Sequence, residues 1–114
     1  MSAITTHVLD VSIGRPAAGV LVKLDRQTPD GRWEQIGSQK TDSDGRARDL
    51  FSEGGALTAL VHRLTFDVGP YFKERRVDAF YEEVSIAFIV GDVSQHYHVP
   101  LLLSPFGYST YRGS

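Results

Sequence analysis

Turn-forming clusters punctuate the chain from end to end, at residues 14–19, 28–31, 42–45 and 52–55, and the stretches between them are short and rich in β-branched residues. Glycine supplies positive φ in such clusters, while proline and aspartate fix neighbouring dihedrals, so each one reverses the chain. A sequence interrupted this often has no room for long helices and favours short strands linked by hairpins.

The strand pattern follows directly. Residues 4–11, 20–26, 33–40, 46–50, 57–68, 83–90, 97–103 and 108–112 read as strands, and residues 28–31 link two of them as a hairpin. The segment 71–80 is free of internal glycine and proline, has Phe72, Ala79 and Phe80 separated by charged residues, and predicts one short helix. About eight strands with one helix, joined by short links, predict an all-β antiparallel sandwich. Pro100 falls inside a strand-like run and cannot donate to a ladder, so that stretch is expected where strand regularity fails.

Composition narrows the class. At 114 residues the chain is expected to form a single domain over 1–114, within the prior of roughly 100 to 200 residues per domain. There is no cysteine, which excludes disulfides, thiolate catalysis and zinc-thiolate sites and leaves the cytoplasm as the default address. The net charge is −2 and no basic run exceeds Arg75–Arg76, so a nucleic-acid groove is not expected. Apolar runs such as 86–90 fall far short of the about 20 residues that span a bilayer. The first residues lack a basic segment followed by an apolar core, so the protein is expected to be cytosolic unless a leader has been removed.

Chemistry-bearing residues are few. The four histidines are His7, His62, His96 and His98. A single strand histidine is by default a surface or structural residue, but His96 and His98 stand two apart and so share one strand face. That spacing would also suit a metal, yet no third ligand is evident nearby. The run Asp42-Ser43-Asp44-Gly45 resembles the middle of a calcium loop, but Lys40 and Phe51 occupy positions where the full pattern requires acids, so it is a turn. The sequence ends on Phe106, Tyr108 and Tyr111 where chain ends are usually polar, and this tail is expected to dock.

Four pieces occur in order: Thr6-His7-Val8-Leu9-Asp10 with Gly14-x-Pro16-Ala17-x-Gly19; Thr41-Asp42-x-Asp44-Gly45-Arg46; His96-Tyr97-His98 running to Ser104-Pro105; and the final Tyr111-Arg112-Gly113-Ser114. Together they resemble the transthyretin-related 5-hydroxyisourate hydrolases, and the resemblance covers essentially the whole chain. It implies a transthyretin-like eight-stranded β-sandwich with a short helix, and a homotetramer built as a dimer of dimers with active sites in its central channel. It also implies hydrolysis of 5-hydroxyisourate to 2-oxo-4-hydroxy-4-carboxy-5-ureidoimidazoline without metal or cofactor. His7, Arg46 and His98 would be catalytic, and His7, Arg46, Tyr111 and Ser114 would hold substrate. Either histidine could be the base or the acid, Arg46 would orient substrate and hold the oxyanion, and His96 could support His98. The alternative is a non-catalytic small-ligand carrier of transthyretin type, although the hormone carriers resemble the fold without the two histidines, the arginine and the final tetrapeptide.

Overall fold

The computed structural model describes residues 3–51 and 57–114. The glycine-rich turn expected at 52–55 lies outside the described residues. Among them the order is β1 (Ile4–Asp10), β2 (Arg15–Pro16), β3 (Leu21–Gln27), β4 (Trp33–Lys40), β5 (Arg46–Ala47), β6 (Val61–Asp67), α1 (Val68–Glu74), β7 (Val84–Ile89), β8 (Tyr97–Ser104) and β9 (Gly107–Thr110).

The strands form two sheets. One runs β2-β1-β8-β9 with β5 also paired to β1, and the other runs β4-β3-β6-β7. Period-two alternation decides which side chains lie between them. Ile4 and Val8 of β1, Val22 and Leu24 of β3, Leu64 and Phe66 of β6, and Leu101 and Leu103 of β8 are all essentially fully buried. Each such side chain stabilises the fold by about 1.5–3 kcal/mol relative to exposure. On the alternate positions, His7 and Leu9 of β1 and His98 and Leu102 of β8 are only half-buried and lie on the outer face of the first sheet.

The expected hairpin between β3 and β4 is present, closed by Gly31 at φ +86° and by the Gly31 N–H donating to the Thr28 carbonyl at 2.9 Å. Three expectations are corrected. β1 and β8 pair in parallel, with Thr5 opposite His98 and His7 opposite Pro100, so the sandwich is not wholly antiparallel. The chain between them makes the entire second sheet and the helix, and a connection that long permits a parallel return. Nine strands occur among the described residues instead of about eight, because β2 and β5 are two-residue pairings on β1 too short to read from alternation.

The helix covers Val68–Glu74 instead of 71–80. Gly69 and Pro70 fall in its first turn, where a missing N–H has no helical partner to lose. Its stop is a Schellman arrangement: Arg76 adopts φ +59°, the Val77 N–H donates to the Phe72 carbonyl at 3.0 Å and the Arg76 N–H to the Lys73 carbonyl at 3.1 Å. Glycine normally takes that left-handed position, so an arginine there gave no stop signal. No helix among the described residues is long and apolar enough to cross a membrane.

Pro100 sits in β8, between β1 and β9. The β8–β9 ladder ends at Leu101 opposite Thr110 and resumes as the single bridge from His98 to Gly113, so the break falls opposite Pro100. There the Thr110 hydroxyl donates to the Pro100 carbonyl at 2.7 Å. Regularity fails where the proline demanded it, although the strand itself is internal.

Candidate active site

Arg46 is placed by a turn. The Asp42 carboxylate accepts from the backbone N–H of Asp44 at 2.9 Å and of Arg46 at 3.0 Å, and the bond from Arg46 holds that carboxyl below its usual range. Gly45 takes φ +75°, and a Cβ there would stand 2.4 Å from the Val8 carbonyl oxygen, which the Gly45 carbonyl's own neighbour in β1 requires to be close: the Val8 N–H donates to that Gly45 carbonyl at 2.8 Å. Only glycine fits both conditions. The buried Thr41 hydroxyl locks the turn to the preceding loop by donating to the Ala17 carbonyl at 2.7 Å and accepting from the Val20 N–H at 2.9 Å. The consequence is that β5 pairs with β1 in a register that sets Arg46 opposite His7.

His98 is placed by two neighbours, Thr5 and Gly113. Its Nδ1 lies 2.8 Å from the Thr5 hydroxyl, its register partner on β1. Its carbonyl accepts the Gly113 N–H at 2.8 Å, which pins the tail to β8. A Cβ on Gly113 would stand 2.6 Å from His98 Cδ2, so the ring lies against a position where any side chain would displace it. Nδ1 is therefore engaged and the Cδ2 edge is covered, which leaves Nε2 as the ring nitrogen available for chemistry. Burial lowers the His98 pKa below the ordinary histidine value, and the positive charge of Arg46 and the proximity of His96 and His7 lower it further. These effects favour the neutral ring, the form that accepts a proton from water.

Thr5, Thr6, Arg46, Arg48, His96, His98 and Ser114 line one concavity of about 410 Å³. Of the residues singled out in the sequence, it gathers Arg46, His98 and Ser114, with His96 alongside. His7 shares the sheet face and stands opposite Arg46, at the edge of this group and outside its lining. Tyr111 is not brought there: it is exposed and borders a separate apolar groove with Ile86, Phe88, Ile89, Tyr97 and Val99. Arg112 anchors the tail, donating to Gln95 Oε1 at 2.7 Å with its guanidinium 4.5 Å from the Tyr97 ring centroid. The tail docks through these contacts and the Gly113 bond, but the aromatics that suggested docking, Phe106, Tyr108 and Tyr111, are left exposed. His62 lies elsewhere, fully buried in the second sheet with Nδ1 2.9 Å from the Leu60 carbonyl.

Thr5, Thr6 and Arg48 line the concavity without any motif that marks them in the sequence, and Thr5 is the one that holds a histidine ring. Its only signal was the two-residue offset from His7, which puts both on one face. His96 and His98 converge on its hydroxyl, at 2.9 and 2.8 Å. Among the described residues no group of three or more histidine, aspartate or glutamate side chains converges as a metal site.

The arrangement supplies a neutral imidazole, a second imidazole and a fixed cation on one surface, the parts needed to activate water beside a carbonyl. Known proteins share the sequence and fold of this chain over nearly its whole length. The chain is 46% identical over 119 residues to the 5-hydroxyisourate hydrolase of Caulobacter vibrioides, covering all of both chains. It is 48% identical over 114 residues to that of Deinococcus radiodurans, covering 97% of this chain and 95% of the relative. Among solved structures, sea bream transthyretin in complex with thyroxine superposes with a TM-score of 0.91 at 33% identity, over 98% of this chain and 95% of that one. Klebsiella pneumoniae 5-hydroxyisourate hydrolase superposes at 0.83 with 37% identity, over 97% and 98%. The family model for HIUase/Transthyretin matches residues 4–113, and the chain belongs to the HIUase/transthyretin family.

Proposed function

We propose that the protein is a 5-hydroxyisourate hydrolase, opening the six-membered ring of its substrate by attack of water on a ring carbonyl and cleavage of a ring carbon–nitrogen bond. The observation that carries this reading is the convergence of Arg46, His98 and Ser114 in one concavity with His7 opposite Arg46. The overall superposition is higher for the thyroxine-bound transthyretin than for the hydrolase. Fold likeness does not choose between carrier and enzyme, because both share the sandwich, and the choice rests on the site residues.

In this reading the neutral His98 Nε2 takes a proton from the attacking water, and His7 or His98 returns one to the leaving nitrogen. Arg46 presents a planar, permanently charged donor fork to the oxygens of a flat ring and stabilises the developing oxyanion. Ser114 closes the concavity, while Tyr111, exposed beside a separate groove, is left out of the substrate contacts. No metal or cofactor has a part in this scheme.

We further propose one domain over residues 1–114, cytoplasmic residence and assembly into a homotetramer, a dimer of dimers. The large apolar side chains left exposed, including Ile89 at 77% and Phe106 at 70%, support a self-associating surface.

Separate kinetics of His7→Asn, Arg46→Gln and His98→Asn test the assignment. Each is expected to lower kcat/KM by about 100-fold or more while the fold is kept. A carrier would instead lose ligand affinity in these variants and show no turnover in the parent protein.

A further inference from the structure

We propose that Thr5 and His96 form a proton relay behind His98, in which one hydroxyl held between two imidazoles passes protons between the site and solvent. The proposal rests on the reading of His98 as the ring that takes the proton of water. Thr5 is buried, and its Oγ1 lies 2.8 Å from His98 Nδ1 and 2.9 Å from His96 Nε2.

A hydroxyl has one proton, so it donates to one ring and accepts from the other. The direction of this pair of bonds therefore fixes the tautomers of both histidines together. When Thr5 donates to His96 Nε2, His98 carries its proton on Nδ1 and offers a bare Nε2, the form that acts as a base. When the bonds reverse, His98 carries its proton on Nε2 and is the form that acts as an acid.

Proton uptake by His98 can then proceed without making an imidazolium. The water proton binds His98 Nε2; the His98 Nδ1 proton passes to Thr5 oxygen; the Thr5 hydroxyl proton passes to His96 Nε2; and the His96 Nδ1 proton leaves to solvent. One proton enters and one leaves, and both rings are neutral before and after. His96 is exposed, which gives the last transfer its exit. The charged and titratable groups acting on His98 are Arg46, His96 and His7, and Arg48 and Ser114 line the same concavity. A permanent cation among them makes a charged His98 costly, which is the circumstance in which a neutral relay gains over simple protonation.

Thr5→Val keeps shape and removes the hydroxyl, Thr5→Ser keeps the hydroxyl, and His96→Gln keeps a donor but cannot pass a proton on. Thr5→Val and His96→Gln are each expected to lower kcat about tenfold or more with KM within about twofold, and Thr5→Ser to recover most of the loss of Thr5→Val. The dependence of kcat on the fraction of heavy water is expected to be curved for the parent protein and linear for His96→Gln. Parent-like kcat in Thr5→Val overturns the relay. So does an impaired Thr5→Val beside a His96→Gln of parent-like rate and curvature, because Thr5 then only holds the ring. Nitrogen-15 spectra of the resting protein separate this from the catalytic assignment. If the parent protein does not accelerate 5-hydroxyisourate decay, the assignment fails, whereas the coupled wire fails if His96→Gln leaves the His98 tautomer unchanged.

Discussion

Gly113 shows how a residue with no side chain governs one that has chemistry. The bare Cα lets the His98 ring lie against it while Thr5 holds Nδ1 from the other side, so the imidazole has one seat. Gly113→Ala forces the ring off that seat, and a displacement of about 1 Å at a reacting group can cost roughly 100-fold. The expected outcome is a kcat lowered at least tenfold with an unchanged unfolding midpoint, read by parallel kinetics and urea titration. The environment of His98 also makes a pH prediction. Its pKa is held below 6.5, so the active neutral form persists to lower pH than for a free histidine. The acid limb of kcat/KM is therefore expected below pH 6.5, and a limb above that value would contradict the assignment of His98 as base. At this scale His7, Arg46, His98 and Ser114 were legible because each belongs to a recognisable run of residues. Thr5 was not, because a threonine in a strand is ordinary until His98 of β8 and His96 just before that strand are seen to close on it.

At the scale of elements, turns aim the side chains. The turn at 42–45 was legible as a turn, since Asp and Gly declare it, but its register was not. That Arg46 lands opposite His7 depends on the approach of Gly45 to Val8 across the sheet. Gly45→Ala meets both the positive φ and the carbonyl oxygen, and is expected to cost about 2 kcal/mol or more in stability and to lower turnover by displacing Arg46. Denaturant unfolding and the same kinetic assay check both halves. The helix was legible as a single short helix, whereas its bounds were not, because Pro70 is harmless in a first turn and Arg76 takes a conformation usually left to glycine. The parallel pairing of β1 with β8 could not be read from either strand alone. Alternation reports which face a residue takes and is silent on the direction of the partner.

At the scale of the whole molecule, a two-sheet core holds the outer face of one sheet rigid, and the proposed site is built on that face. The sandwich was legible from the density of turns, and the same sandwich serves a carrier and a hydrolase, which is why fold alone did not fix function. The second sheet carries a pH liability of its own. His62 is fully buried with Nε2 unpartnered, and burial lowers its pKa below 6.5. Its unfolded form binds a proton more readily than its folded form, so its share of stability is present above pH 6.5 and declines as pH falls through the folded value. His98 acts with the same sign. His62→Leu is accordingly expected to lose less stability between pH 6.5 and pH about 5 than the parent protein, as urea midpoints across that range would show.

The most direct test of the central claim is the ultraviolet decay of 5-hydroxyisourate generated in place by urate oxidase, followed with and without the purified protein. The account predicts decay accelerated in proportion to protein concentration and returned to the spontaneous rate by His98→Asn. Spontaneous decay in the presence of the folded parent protein would contradict it and leave the site as one that binds without turning over.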